Sequence, residues 1–370
     1  MAQGRTQSDY ARNRLKQLRA RMRELRLDAL LTLNPANLRW LSAWQEVFDD
    51  EPAHLALITA KKAYIHTDAR YAEALQAKNT EGLWQINTKT PDHFEFARQT
   101  LARYAQQGLR LGYESNIRLN QFKALKKELS QTTVRLVEVK RVFEDLRAVK
   151  DEEEIKLLRR AQAITDAAFA ELLSWISCGM REQEVANRLD FILRDKGAEG
   201  LAFPTIAASG PNAAVPHARP TGRTLRTGDF LILDFGARYR DYCADMTRTL
   251  VMGEATDEQR RIYDAVLAAQ TEAKAGIRAG KTGGQAYESA RTVLKTEGLD
   301  ERFTHSLGHG VGIDVHEAPA LSPKNTTALV AGNVVTVEPG VYLPGYGGVR
   351  IEDFGLVEEK GFTSFTHSPH

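Results

Sequence analysis

The chain has 370 residues, which is long enough for two domains, and its 50 Lys and Arg residues nearly balance 48 Asp and Glu residues. This balance removes the electrostatic argument for nucleic acid or an anionic membrane as a partner. Two cysteines are too few for a disulfide framework, no apolar run has the length of a membrane span, and the first residues are polar and basic, unlike a signal peptide, so we predict a cytoplasmic protein.

Residues 1–147 are predicted to form an α/β domain. Apolar residues recur at helical spacing from Tyr10 to Leu27, which predicts an amphipathic first helix. The other elements predicted here are a strand at 29–33, a hairpin over 54–68 with Lys61 and Lys62 in its turn, strands at 109–112 and 134–139, and a helix over 120–131. An acidic loop, residues 45–54, precedes the hairpin.

Residues 148–370 are predicted to form a second domain. A long amphipathic helix is predicted over 145–179, with an acidic first turn and Gly179 at its end, as helix electrostatics favour. A second helix is predicted over 181–197. From Phe203 onward, short apolar runs alternate with turns rich in Gly and Pro, which is typical of strands joined by loops.

The most informative pattern is a repeated strand that ends in a carboxylate. Residues 228–236 (GDFLILDFG) align without a gap with residues 332–340 (GNVVTVEPG). In each copy an apolar strand leads into an acid, Asp234 or Glu338, and a Gly follows two residues later. The repeat predicts that the second domain consists of two related halves, each with one acid-bearing hairpin.

The first of these strands is predicted to begin a hairpin. Asp234 and Asp245 are equidistant from Tyr239 and Arg240, which we interpret as its turn. The two acids are therefore expected to face one another across the strands. Opposed residues have Cβ atoms roughly 5 Å apart, so both carboxylates could share one ion.

The second copy of the repeat predicts another hairpin. Glu338 and Glu352 are equidistant from Gly345, which lies in the turn sequence PGYGG, so they too could share an ion. Arg350 precedes Glu352 by two residues and is expected on the same face of its strand. It could orient the carboxylates or anchor an anionic end of a substrate.

These four carboxylates and the Gly-flanked His309 form an oxygen-rich set with a single imidazole. Buried acids are usually paired or bound to metal. The set suits two divalent cations and favours Mn²⁺, with Co²⁺ and Zn²⁺ able to compete. Two ions about 3.5–4 Å apart can bridge a water, lower its pKa and polarise a carbonyl, which is hydrolytic chemistry without a covalent intermediate. His217, in a loop rich in Gly and Pro, is a further candidate site residue.

Several motifs carry a resemblance to a known family. They are PTIAASGPNAAVPH, LILDFGARYRDYCADMTRT, HSLGHGVGIDVHE, VVTVEPGVY and GGVRIEDF. They resemble the motifs of the proline-specific metallopeptidases, prolidase and aminopeptidase P, from about residue 150 to the end. The N-terminal domain resembles the creatinase-like domain of this family through LNPANLRWLSAW and HTDARY. The resemblance implies an α/β (α+β) fold, with a creatinase-like domain followed by a pita-bread catalytic domain of pseudo-two-fold symmetry.

The resemblance also implies a role for each site residue. The implied metal ligands are Asp234, Asp245, His309, Glu338 and Glu352, with Asp245 and Glu352 bridging the two ions. Glu338 would also accept a proton from the attacking water, which would act as a metal-bridged hydroxide. His217 would stabilise the oxyanion, and His316 would contact the substrate carbonyl. His305 and Arg350 would line the site for proline. A homodimer is implied as well.

The alternatives left open concern substrate and activity. We predict hydrolysis of Xaa-Pro dipeptides because the chain is compact, whereas an aminopeptidase P would release the first residue of longer peptides. Methionine aminopeptidase shares the core, but VRIED and a full N-terminal domain favour the proline-specific branch. A non-catalytic pita-bread protein or a metal-free creatinase-like hydrolase is the remote alternative. We hypothesise that the acidic loop reaches an active site, its own or that of a dimer partner, where Asp49, Asp50 or Glu51 could meet the amino group of a substrate.

Overall fold

A computed structural model describes residues 5–104 and 108–370. The chain divides into two compact units, Met1–Leu146 and Arg147–His370, one residue before the predicted boundary. Residues 1–4 lie outside the described residues. They begin the polar N-terminal segment that we predict is not a signal peptide. Among the described helices, none combines the length and apolar character needed to cross a bilayer.

The described part of the first unit contains a mixed sheet. Its strands are β1 (Ala29–Thr32), β2 (His54–Thr59), β3 (Ala63–Thr67), β4 (Trp84–Asn87), β5 (Arg110–Glu114) and β6 (Arg135–Val139). They lie in the order β4-β3-β2-β1-β5-β6, with β2 antiparallel to both of its neighbours and the other pairs parallel. The helices here are α1 (Gln7–Glu24), α2 (Pro35–Ser42), α3 (Ala72–Lys78), α4 (His93–Ala102) and α5 (Leu119–Glu128).

The elements predicted for this unit are present, with small shifts at their ends. Both ends of α1 are shifted, since it begins at Gln7 rather than near Tyr10 and ends at Glu24 rather than near Leu27. Thr6 caps this helix and forms a capping box with Asp9. The cap satisfies N–H groups that a helix leaves unpaired at its start, and this stabilises a start earlier than the apolar spacing indicates.

The single long helix predicted over 145–179 is wrong. The structure has two helices instead, α6 (Val142–Arg147) and α7 (Glu152–Leu173), with an extended segment between them. Asp151 caps α7, and its side chain accepts hydrogen bonds from two backbone N–H groups of the first turn. The apolar periodicity of the sequence therefore continues across a point where the helix is interrupted. The capping residue Asp151 marks the start of the second helix.

The break has a tertiary cause. Val149 forms a β-bridge with Asn333, and the Lys150 N–H donates to the Gly332 carbonyl at 2.8 Å. The Asn333 side-chain amide also donates to the Ala148 carbonyl at 2.9 Å. These bonds satisfy backbone groups that a continuous helix would pair internally, and they tie the start of the unit to the beginning of the second repeat.

The second unit continues with helices and many short strands. Its other helices are α8 (Glu182–Asp195), α9 (Asp257–Gly276) and α10 (Gly283–Thr296), and short 3-10 helices lie at Gly210–Ala214 and Asp300–Arg302. Its strands are β7 (Gly200–Leu201), β8 (Ile206–Ser209), β9 (Phe230–Phe235), β10 (Ala237–Tyr239), β11 (Tyr242–Cys243), β12 (Met246–Val251), β13 (Gly308–Gly310), β14 (Glu317–Leu321), β15 (Val334–Val337), β16 (Gly340–Leu343), β17 (Gly347–Arg350), β18 (Asp353–Val357) and β19 (Phe362–Ser364).

The two halves of this unit each contain an acid-bearing antiparallel strand pair, as predicted, and a helix pair precedes it in each half. β9 pairs with β12 in the first half, and β15 pairs with β18 in the second. One core joins α7 and α8 to Leu231 and Leu233 of β9, and another joins α9 and α10 to Val335 and Val337 of β15. Each acid-bearing strand is thus anchored by buried apolar side chains two residues apart, which project to the same face of the strand.

The register predicted for the first hairpin is wrong. Asp234 lies opposite Thr247, not opposite Asp245, because the turn is centred one residue later than predicted. Arg240 and Asp241 form this turn with φ values of 48° and 71°, both in the left-handed region that a tight two-residue hairpin requires. Asp245 therefore lies just before β12 and approaches Asp234 diagonally rather than directly.

The register predicted for the second hairpin is confirmed. β15 pairs with β18 and β16 pairs with β17 in one register centred on Gly345. This register brings Glu338 opposite Glu352, between the two strand pairs. At that point the ladder is interrupted, so both acids lie where the strands separate and leave room for a site.

Candidate active site

A cavity of about 880 Å³ in the second unit brings the predicted site residues together. Those that line it are His217, Asp234, Asp245, His305, His309, His316, Glu338, Arg350 and Glu352. They come from both repeats and are as far as 135 positions apart in the sequence (352 minus 217). The fold therefore collects all of the predicted site residues into one volume.

The carboxylates lie at strand ends, and backbone hydrogen bonds hold them there. The Glu338 N–H donates to the Leu307 carbonyl at 2.8 Å, which ties the end of β15 to the segment before β13. The Glu352 N–H donates to the Thr247 carbonyl at 3.1 Å, which ties the second repeat to β12 of the first. These backbone hydrogen bonds hold Glu338 and Glu352 at the ends of strands rather than in loops.

His309 presents one ring nitrogen to the acids. Its Nδ1 bonds to the Gly310 carbonyl at 3.0 Å, so Nδ1 carries the proton. Its Nε2 lies 3.3 Å from Glu338 Oε1 and 3.6 Å from Asp245 Oδ2. A carbonyl bond of this kind fixes the tautomer and leaves the lone pair of the other nitrogen available to a metal.

The glycines on either side of His309 are required by close packing. A Cβ on Gly308 would lie 2.1 Å from the Thr336 carbonyl oxygen, and a Cβ on Gly310 would lie 2.2 Å from that of Ala318. Neither contact is possible for any other residue without movement of the backbone. The Gly-His-Gly pattern therefore lets β13 insert between its two neighbouring strands and bring His309 to the acids.

The acids are buried together with little positive charge to balance them. Burial raises the pKa of Asp245 and of Glu352 well above the ordinary carboxyl range, and neighbouring carboxylates add to both shifts. Asp234 Oδ1 and Glu352 Oε1 are buried and accept no hydrogen bond from a described residue. Carboxylates that are buried close together and lack hydrogen bonds are stabilised in their ionised form when cations bind them.

The donor set fits divalent metal ions. Asp245, His309 and Glu352 each offer a ligand atom, and these atoms lie within 4.8 Å of one another. The unpaired oxygens of Asp234 and Glu352 face the same volume, which adds ligand positions. Four carboxylates with one imidazole match the preference of Mn²⁺ and similar ions for oxygen-rich sites.

Two threonines support the ligands and were not anticipated from the sequence. The Thr247 hydroxyl donates to Glu352 Oε2 at 2.6 Å, and the Thr336 hydroxyl lies 3.1 Å from Glu338 Oε1. Thr336 also accepts a hydrogen bond from the His309 N–H at 3.1 Å. Thr336 precedes Glu338 by two residues, so strand alternation already predicts that both side chains point to one face.

Arg350 is the cation that faces Asp234. Its Nη2 donates to Asp234 Oδ2 at 2.6 Å, its Nη1 donates to the Tyr342 hydroxyl at 2.8 Å and to the Pro216 carbonyl at 3.1 Å, and its Nε donates to Thr247 Oγ1 at 3.0 Å. Burial raises the pKa of Tyr342 to about 12, so its hydroxyl stays protonated. These contacts favour orientation of Asp234 over anchoring of substrate, and a direct contact between Arg350 and substrate stays a prediction.

The other predicted histidines differ in how they are held. His305 uses both ring nitrogens: Nδ1 bonds to the Ser306 carbonyl at 2.8 Å and Nε2 to the Tyr342 hydroxyl at 2.9 Å. The ring of His316 contacts that of His309 in a tilted arrangement, with ring centroids 4.1 Å apart and an interplanar angle of 56°. Burial lowers the pKa of His316, and the adjacent His309 lowers it further, so the ring is neutral near pH 7. His217 is exposed in the loop that follows the 3-10 helix.

A buried cluster of charges holds the segment beside His316. Lys150 donates to Glu317 Oε1 at 2.7 Å, and Arg147 binds both Glu317 and Asp314. Burial alone would raise the pKa of Glu317, but Lys150 and Arg147 outweigh this effect and lower it. The extended segment that interrupts the predicted helix thus places Lys150 against a carboxylate adjacent to the site.

We expect Lys150→Met to destabilise the protein by about 3 kcal/mol, because it leaves a buried carboxylate with only part of its compensation. The folded pKa of Glu317 is below its unfolded value, so the stability that this pair contributes is present near neutral pH and is lost on acidification. Urea unfolding at pH 7 and pH 4 measures both effects. Lys196→Met, which breaks the half-buried pair between Glu171 of α7 and the residue that caps α8, is the control, and an equal loss in both variants would contradict the prediction.

Cys243 precedes Asp245 by two residues but does not line the cavity. It is buried, and burial raises the pKa of its thiol to about 12. Cys178 is exposed. We therefore expect a thiol reagent to modify Cys178 readily in the native protein and Cys243 only after unfolding. Mass spectrometry of the labelled peptides measures this, and rapid labelling of both thiols would contradict it.

The acidic loop 45–54 is held within its own unit. The Tyr71 hydroxyl donates to Asp49, while Arg39 lies 3.2 Å from Asp50 and Arg70 lies 3.0 Å from Glu51. Each acid thus has a local partner. Contact of this loop with a substrate stays a prediction.

Comparisons with known proteins agree with the geometry. A family model described as metallopeptidase family M24 matches residues 156–359, and one described as the creatinase/prolidase N-terminal domain matches residues 14–149. The uncharacterized peptidase YqhT of Bacillus subtilis is 37% identical over 357 residues, covering 96% of this chain and 98% of that protein.

Two solved structures are similar over nearly the whole chain. An Xaa-Pro dipeptidase from Bacillus anthracis has a TM-score of 0.91 and 37% identity, covering 97% of this chain and 98% of that one. An X-Pro aminopeptidase from Thermotoga maritima has a TM-score of 0.86 and 32% identity, covering 96% and 98%. The similarity therefore extends over both units described above.

Proposed function

The chain belongs to metallopeptidase family M24, and from this membership we propose that it hydrolyses the peptide bond before proline, with Xaa-Pro dipeptides as its preferred substrates. The observation that carries the proposal is the convergence of four buried carboxylates and the Nε2 of His309 in one cavity, with two carboxylate oxygens left without a partner. We further propose two divalent ions, most readily Mn²⁺ and otherwise Co²⁺ or Zn²⁺, a cytoplasmic location and a homodimer.

The proposed ligands are those predicted from the sequence: Asp234, Asp245, His309, Glu338 and Glu352. When bound, two divalent ions would supply Lewis acidity that activates water and polarises the scissile carbonyl. Glu338 would take the proton of the attacking water at its carboxylate, which Thr336 holds in place. The Gly310 carbonyl keeps the His309 lone pair directed at the acids, so the ligand geometry is set before substrate arrives.

The remaining residues would bind the reacting peptide. His217 and His316 line the cavity, and no hydrogen bond joins either side chain to another described residue. Each can therefore donate to the substrate carbonyl, and His217 would stabilise the oxyanion that forms on it. Arg350 would orient Asp234 through their buried ion pair.

The walls of the cavity suit a proline ring. A bond before proline has no N–H for an enzyme to bind, so selectivity must come from the shape and apolar character of a pocket. The apolar lining residues are Phe203, Pro204, Ile206, Pro216, Ala218, Pro220 and Ala320. These residues give part of the cavity wall an apolar character, and Ile206 lies opposite Asp234 on the neighbouring strand.

Comparison of Ala-Pro with Ala-Pro-Ala tests the preferred substrate. The proposal predicts efficient cleavage of the dipeptide and slow cleavage of the tripeptide. Ready cleavage of the tripeptide would instead support an X-Pro aminopeptidase, the activity named for the Thermotoga maritima structure. Absence of bound metal together with absence of metal-stimulated hydrolysis would support the remote alternative of a non-catalytic protein.

A further inference from the structure

Recognition of a dipeptide requires a cation for the free carboxylate that follows proline. Two cationic side chains of the described residues line the cavity, Arg219 and Arg350. Arg350 is 2% exposed and already donates to four acceptors, namely Asp234, Thr247, Tyr342 and a backbone carbonyl. Its charge is also balanced by Asp234, so it has little capacity left for a second carboxylate.

His305 is no better placed to bind a carboxylate. Both of its ring nitrogens are engaged, one with a backbone carbonyl and the other with Tyr342. Burial lowers the pKa of His305, so the ring is neutral near pH 7. A neutral imidazole without a free N–H offers neither charge nor a donor to an anionic ligand.

Arg219 has the properties that the other two residues lack. Its side chain is exposed, it lines the cavity, and it forms no ion pair or hydrogen bond with the part of the chain that the structure describes. Its neighbours Ala218 and Pro220 contribute to the apolar wall that would hold the proline ring. A guanidinium is suited to bidentate recognition of a carboxylate.

We propose that Arg219 binds the C-terminal carboxylate of an Xaa-Pro dipeptide and thereby sets the preference for dipeptides. This inference rests on the proposed function and adds a specificity-determining residue to it. Arg219 provides a positive charge in the cavity, next to the apolar residues Ala218 and Pro220, where it can attract a substrate carboxylate. A longer peptide has an amide at this position and gains nothing from the charge.

The test compares Ala-Pro with alanyl-prolinamide, which lacks the negative charge. Wild-type protein is expected to prefer Ala-Pro, and Arg219→Leu is expected to lower kcat/KM for Ala-Pro about 10- to 100-fold, mainly through KM. Hydrolysis of the amide should change less than about twofold. Arg219→Lys keeps the charge but not the bidentate geometry and should recover part of the loss.

Arg226→Leu is the matched control, because Arg226 is an exposed arginine of the same segment that does not line the cavity. It should leave both substrates unaffected. Calorimetric titration with L-proline and L-prolinamide measures carboxylate recognition without turnover, and the selectivity for L-proline should be lost in Arg219→Leu.

The failures of the two proposals are distinguishable. A wild-type protein that hydrolyses neither substrate with metal present contradicts the proposed function. An active wild type whose Arg219→Leu variant loses both substrates equally, or neither, overturns the role of Arg219 alone. Equal binding of L-proline and L-prolinamide by the wild type would overturn it as well.

Discussion

Replacement of Glu338 by glutamine is expected to lower kcat for Xaa-Pro hydrolysis about 10²- to 10⁴-fold, the range in which a positioned general base contributes. The amide keeps the size and the hydrogen bond from Thr336 but cannot accept the proton of the attacking water. It also removes one anionic ligand, so metal affinity should fall. The fold should be retained, since the change removes a negative charge from a volume that holds four carboxylates.

Steady-state kinetics with saturating metal, elemental analysis and thermal unfolding measure the three effects of this substitution separately. Glu359→Gln, at an exposed position of the same unit, is the control and should resemble the wild type. Activity of Glu338→Gln within about threefold of the wild type would contradict the assignment of Glu338 as the proton acceptor.

Replacement of Arg350 by methionine is expected to destabilise the metal-free protein by about 3–5 kcal/mol, as the loss of one partner of a buried ion pair typically does. Asp234 would lose its 2.6 Å partner, and Tyr342 and Thr247 would lose hydrogen bonds. Burial already raises the pKa of Asp234 while Arg350 opposes the shift, so removal of Arg350 should raise that pKa further and weaken metal binding. Activity should fall as well.

Urea unfolding of the metal-free protein measures the loss of stability, and titration with Mn²⁺ measures the change in metal affinity. Arg302→Met, an exposed arginine in the second 3-10 helix, serves as the control. A change below about 0.5 kcal/mol in Arg350→Met, with unchanged affinity for Mn²⁺, would show that the pair with Asp234 does not support the site.

The fold class, the family and the collection of acids could be predicted from the sequence because they depend on local patterns. Apolar runs of strand length end in Asp234 and Glu338, and a glycine follows each acid two residues later. A Cβ on the first of these glycines, Gly236, would lie 1.8 Å from the Ala244 carbonyl oxygen. The second hairpin has an unambiguous Gly-rich turn, so its register followed from symmetry alone.

The errors arose where tertiary contacts decide the local structure. The long helix is interrupted at Val149 and Lys150 because these residues pair with the two residues that precede β15, about 180 positions later, which helical periodicity cannot indicate. The turn of the first hairpin contains no glycine, because Arg240 and Asp241 adopt the left-handed conformation instead. The sequence therefore has no glycine to mark the centre of this turn. Its centre was therefore placed one residue too early.

The residues that support the site also divide into those that a local pattern could predict and those that it could not. Thr336 could have been found by alternation from Glu338, because residues two apart share a face of a strand. The contacts of Lys150 with Glu317 and of Arg350 with Asp234 join residues more than 100 positions apart, and no local pattern links them. Such pairs can be identified only from the three-dimensional structure.

The central claim is metal-dependent hydrolysis of the Xaa-Pro bond in this cavity. The most direct measurement is hydrolysis of Ala-Pro and Ala-Ala by protein stripped of metal and then supplied with Mn²⁺. We expect no activity after stripping, recovery of Ala-Pro hydrolysis with Mn²⁺, and at least about tenfold lower kcat/KM for Ala-Ala. Activity that survives complete removal of metal, or equal hydrolysis of the two dipeptides, would contradict the account.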